Sequence, residues 1–156
     1  MTSVIPSSEA TIQVQPFIQA PFMTATPGTV LDYLIKFKPW FARLAKKANM
    51  TNRYNSCQGR VTLFLPLMDP SLPLDTISID EARHVLNMCT IPGFINIHIL
   101  KASPRLQLYP LAYPHQSLNV QLFSDQSITI NDKLVVAGDI KCSNGIIHLL
   151  NNMLIP

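Results

Sequence analysis

Hydrophobic positions along this chain divide it into a first half of mainly helical period, interrupted by one short β-rich run, and a strand-rich second half. After Thr29, a side chain suited to cap a helix, Leu31, Leu34 and Ile35 form a helical stripe. Pro39 suits the first turn of a second helix. Trp40, Phe41, Leu44, Ala45 and Ala48 form its apolar side, and Arg43, Lys46 and Lys47 lie opposite. A polar stretch, TNRYNSCQG, reads as a loop and leads to VTLFL at 61–65, a short β-rich run stopped by Pro66. Ser78-Ile79-Asp80-Glu81 is a capping-box pattern opening a helix to about Thr90, with Ala82, Val85, Leu86 and Cys89 on its buried side; Pro92-Gly93 ends it.

From Phe94 onward the period becomes that of strands. FINIHIL (94–100), RLQLYPLAY, LNVQLF, SITI and KLVVAGDI are short alternating or apolar runs separated by turn residues. Asn131-Asp132 suits a tight turn. Asn144-Gly145, between DIKC and IIHLL, is the strongest hairpin signal, because both central residues of a type I′ turn take positive φ. Beyond that bend, Ile146 and His148 should face one side of a strand and Ile147 and Leu149 the other. Helices first and many short strands after predict an α+β domain over 28–156. Residues 1–27 read as an extended arm. Pro6, Pro16, Pro21 and Pro27 forbid a long helix there, and apolar side chains including Phe17 and Phe22 suit a partner, in cis or in trans.

Composition narrows the function classes. Hydrophobic residues make up 47% of the 156 and charged ones 13%, enough for one core and too few charges to cover the surface, so some apolar surface should meet a partner. Seven of the 12 Lys and Arg residues lie between Tyr33 and Met68 without an acidic residue among them, and Lys46 and Lys47 are candidate contacts within that stretch. Aromatic side chains interleave with these charges, but they follow the apolar stripe and match no nucleic-acid reader. No apolar run is long enough to span a membrane. The N-terminus lacks the basic start and continuous apolar stretch of a secretory signal, which favours an intracellular product.

Cys57, Cys89 and Cys142 are odd in number and widely spaced, and read as buried reduced thiols. His84, His98, His115 and His148 show no metal-binding spacing. There is no nucleophile elbow and no glycine-rich phosphate loop. The expectation is therefore no metal, no cofactor and no catalysis.

The last 22 residues, VVAGDIKCSNGIIHLLNNMLIP, resemble the C-terminal signature of the FAS1 (fasciclin-like) family at Asp139, Ile140, Asn144, Gly145, Ile146, Ile147, His148, Leu154 and Pro156. An upstream box of that family matches at Thr62, Phe64 and Pro66, with Leu65 in place of the usual Ala. A central Tyr-His pair matches at His98, with Ile97 in place of the Tyr. The resemblance covers about Thr29 to Pro156. It implies a wedge of N-terminal helices packed on a mostly antiparallel β-sandwich of short strands, and an interaction or adhesion module. His98 and His148 would be buried hydrogen-bonding groups. In some animal members, an Asp-Ile pair in this segment is linked to integrin recognition, and Asp139-Ile140 matches it. With no export signal read, the leading expectation is a structural or accessory component of a larger assembly, for instance a virion minor capsid protein. The alternatives are an extracellular or surface adhesion module, for which Asn49-Met50-Thr51 would be the one glycosylation sequon, and an enzyme with a His-containing pocket.

Overall fold

A computed structural model describes residues 23–102, 105–111 and 116–154. Phe17, Phe22, His115 and Pro156 lie outside these residues. Helix α1 (Val30–Phe37) starts where Thr29 accepts the Asp32 amide, and α2 (Pro39–Lys47) follows after Lys38. Val30, Leu31 and Leu34 of α1 pack with Phe41, Ala42, Leu44 and Ala45 of α2 in the core. Helix α4 (Ile79–Cys89) carries the full capping box: the Ser78 hydroxyl takes the Glu81 amide, and the Glu81 carboxylate takes the Ser78 amide. The Ser78 amide is also what draws the Glu81 carboxyl below its ordinary range.

Between these helices the polar stretch after Ala48 is not all loop. Thr51–Asn55 forms a short helix, α3, because Tyr54 is wholly buried. The Thr90 hydroxyl gives its one proton to the Leu86 carbonyl at 2.7 Å, so the Tyr54 hydroxyl donates to Thr90 at 2.8 Å.

Among the described residues, seven strands follow one order. β1 (Val61–Pro66) pairs antiparallel with β2 (Thr90–Pro92) and parallel with β7 (Gly145–Leu150). β7 pairs antiparallel with β6 (Lys133–Cys142), which continues through β5 (Ile128–Ile130) and β4 (Leu118–Leu122) to β3 (Arg105–Leu108). The sheet is thus mostly antiparallel and built of short strands. The ten-residue β6 serves both halves, bending at register shifts between Val135 and Ile140. All six residues of β1 and of β7 are buried, as expected of strands covered on both faces. β4 and β5 instead alternate, burying Leu118, Val120, Ile128 and Ile130.

Further sequence expectations are corrected. FINIHIL is not a strand: Asn96 caps a single helical turn, α5 (Ile97–Leu100), by accepting the Ile99 amide at 2.9 Å, and the strand lies earlier, at β2. The C-terminal bend is displaced by one residue. Cys142 pairs with Gly145, so Ser143 and Asn144 form the loop and Gly145 is already in β7. Gly145 has no positive φ; that signature belongs to Asn131 (47°) and Asp132 (67°) in the β5–β6 turn. Finally, Cys57 is exposed, whereas Cys89 is buried and its thiol is pushed up to about 12 by desolvation.

Candidate functional site

The residues that carry the C-terminal signature turn inward. Asn144 is buried, and its side chain joins two distant segments. Its Oδ1 accepts the Val30 amide at 2.8 Å, and its Nδ2 donates to the Tyr54 and Ser56 carbonyls, both at 2.9 Å. Its own carbonyl accepts the Val61 amide. The start of α1 and the end of α3 therefore meet at the carboxamide of Asn144, and the start of β1 meets its main-chain carbonyl. Beside it, a Cβ on Gly145 would stand 2.5 Å from the Val61 carbonyl oxygen, so the glycine is required by a close backbone approach.

His148 is likewise wholly buried. Its Nδ1 accepts the Asp139 amide at 3.1 Å, which leaves the proton on Nε2 to donate to the Ile95 carbonyl at 2.7 Å. Its ring stacks on Phe64, its in-register neighbour on β1, with 5.4 Å between centroids. Asp139 takes positive φ (56°) in the bend of β6, and its carboxylate accepts the Ile97 amide at 2.8 Å. Thr62 completes this fastening: its hydroxyl donates to the Gly93 carbonyl and accepts the Ile95 amide. His98, by contrast, is exposed on α5, so the expected second buried histidine is not found there. Ile140 is half-buried against the core.

Desolvation holds the His148 pKa below its ordinary 6.5, against the opposing pull of the Ile95 carbonyl and the Asp139 charge. Below 6.5 the unfolded chain takes up a proton that the folded chain refuses. The contribution of His148 to stability is therefore complete above that pH and is lost as pH falls from it toward the depressed folded value, at up to about 1.4 kcal/mol per pH unit. His148→Gln keeps one acceptor and one donor but cannot titrate. Urea titrations at a series of pH values should show a flatter stability profile for the variant in that window. Parallel profiles would show that His148 is not the group responsible.

The basic stretch is largely engaged within the fold. Lys36 pairs with Asp32 at 3.1 Å, Lys47 donates to the Leu74 carbonyl at 2.7 Å, and Arg60 lies over the Phe94 ring. Lys46 is exposed. Sequence reasoning missed Lys38, a buried lysine that donates to the Pro66 and Leu67 carbonyls, both at 2.7 Å, and pairs with Asp69 at 3.7 Å. Pro66 thus supplies a carbonyl to the junction of α1 and α2. Nothing in the sequence distinguishes Lys38 from its surface neighbours.

That junction carries the apolar surface which composition called for. Lys38 draws the segment after β1 against the α1–α2 corner, and the Trp40 indole donates to the Leu72 carbonyl at 2.9 Å. Phe37 (64% exposed), Leu67 (49%), Met68 (78%) and Leu72 (53%) are left outward at this end of the molecule. A cleft of about 410 Å³ runs beside them, lined in part by Met68, Leu72 and Met153. Among the described residues, no three His, Cys, Asp or Glu side chains are grouped to hold a metal ion, and no helix is long and apolar enough to cross a membrane.

The sequence profile of the fasciclin domain matches residues 39–156. Among solved structures, the chain is similar to a FAS1 domain pair from the insect cell adhesion molecule fasciclin I, with a TM-score of 0.65 and 20% identity, over 83% of this chain and 51% of that one. The chain therefore spans about half the length of that structure, and the likeness is one of fold. No curated protein matches.

Proposed function

We propose, from the premise that this chain belongs to the fasciclin domain family, that it is a non-catalytic protein-interaction module whose contact surface is the apolar corner of Phe37, Leu67, Met68 and Leu72. The observation that carries the reading is a division of labour. The signature residues Thr62, Phe64, Asp139, Asn144 and His148 are committed to internal hydrogen bonds or packing, while large apolar side chains stand outward at the α1–α2 corner. Exposed apolar groups gathered in this way mark contact surfaces. The similarity to an insect cell adhesion molecule supports contact with another protein as the task. A virion setting gains no support from the comparisons, so the reading retains the assembly partner without that setting. The arm of residues 1–27, with Phe17 and Phe22, is proposed as an accessory contact. Its last residues already touch the domain, since the Thr26 amide donates to Asn55 and Met23 packs on the core. Asp139-Ile140 is the less suitable contact, because the Asp139 carboxylate already holds the Ile97 amide.

Site-specific photo-crosslinkers placed at position 68 and at position 139 in the producing cells test this reading. Protein adducts are expected from position 68, and Met68→Glu should weaken capture of the same adduct partner roughly tenfold or more, as for a central contact residue, with an unchanged melting temperature. Adducts from position 139 alone would contradict it.

A further inference from the structure

The second outward face of the molecule lies on the far half of the sheet and has no part in the contact reading above. Strands β3 and β4 send Leu108, Leu118 and Val120 into the core, so the intervening positions face out. These are Arg105 opposite Gln121 and Gln107 opposite Asn119, with the Asn131-Asp132 turn beside them. Together they line a cleft of about 600 Å³.

The chemistry on offer there is specific. β4 is hydrogen-bonded on both sides, to β3 and to β5, so its backbone is committed and the cleft presents side-chain ends. Arg105, Gln121 and Asp132 make no side-chain hydrogen bond or ion pair among the described residues. The Gln107 amide makes only long contacts, 3.3 Å to both Ser117 and Asn119. In register with Gln121, Thr129 holds a buried hydroxyl that has no partner among the described residues. The exposed Tyr109, two residues on along the same edge, donates its hydroxyl to the Gln107 carboxamide oxygen at 3.4 Å. One cation and one anion cancel, which disfavours a strongly charged ligand. Carboxamides donate and accept together, and so do the hydroxyls of a sugar. An exposed tyrosine ring adds an apolar face for the C–H side of a pyranose.

We infer that the β3–β4 face is a binding site for a neutral, hydroxyl-rich glycan lying across the two strands. An extended peptide adding to the sheet would pair with the outer edge of β3, the terminal strand, and would not lie across the side chains of the cleft.

The test is an amide-resolved NMR titration of the full chain with cellohexaose, xylohexaose, mannohexaose and chitohexaose at millimolar concentration. A heparin hexasaccharide and an acetylated Thr-Val octapeptide serve as comparators. Saturable shifts confined to β3, β4 and the 131–132 turn are expected with at least one neutral sugar. Affinity should fall about tenfold or more in the exposed double variant Gln107→Ala/Gln121→Ala, with the melting temperature unchanged. The inference is overturned if none of the four neutral sugars shifts these amides, if their shifts persist in the double variant, or if only the heparin or peptide probe binds. The apolar corner can fail its crosslinking test without affecting this outcome.

Discussion

Replacing Asn144 by alanine is expected to lower stability by roughly 3–5 kcal/mol, the sum of leaving two or three buried polar groups without partners at about 1–3 kcal/mol each. The groups are the Val30 amide and the Tyr54 and Ser56 carbonyls, which belong to segments 88 to 114 residues away in sequence. A methyl cannot reach any of them. In a domain of this size the melting temperature should fall on the order of 10 °C. Asn144→Asp separates hydrogen bonding from shape. It is nearly isosteric, but it sets a carboxylate oxygen against two carbonyl oxygens and should be at least as damaging. Thermal and urea unfolding check both variants. An Asn144→Asp protein that melts with the parent would show that the amide donors contribute nothing.

Gly145→Val is the second large effect, expected to cost about 3 kcal/mol or more through overpacking against atoms that cannot yield. A Cβ at this position would meet the Val61 carbonyl oxygen at 2.5 Å and Val30 Cγ2 at 2.6 Å. The first is backbone in the parallel β1–β7 ladder, and the second belongs to a core side chain with no exposure. Relief would require β1 and β7 to separate at their parallel pairing. Because the cause is close approach and not positive φ, Gly145→Ala should also be destabilising. Equilibrium unfolding of both variants measures the effect, and an alanine variant as stable as the parent would show that the approach relaxes freely.

Those two residues also show what the sequence could and could not disclose. Local signals were legible because their partners are local. Thr29 and Ser78 cap the helices they precede, the apolar stripe of α2 packs inward, and β1 runs where VTLFL predicts. The family signature located Asn144 and Gly145 but not their physical roles, because the Asn-Gly pair looks like a hairpin turn from its immediate neighbours alone. The groups that determine its placement are Val30, Tyr54 and Val61, none of them near it in the chain.

The same holds for FINIHIL. Its alternation mimics a strand, but Asp139 takes the Ile97 amide from 42 residues away and Asn96 caps the turn. Tyr54 was hidden in a polar stretch because a single buried aromatic leaves no period. Lys38 was hidden among lysines because only its position, facing two strand-end carbonyls, separates it from them. The apolar corner was foreseen as a quantity, from the shortage of charge, but not as a place, since its four residues come from an α1 terminus and an irregular segment.

The Asn144 carboxamide closes the domain from within, and hydrogen exchange of its side-chain protons reads this directly. Both protons are held by carbonyls, those of Tyr54 and Ser56, on a buried side chain, so they should exchange only with global opening, while those of the exposed Asn52 exchange freely. Asn144 protons that exchange as fast as those of Asn52 would contradict it.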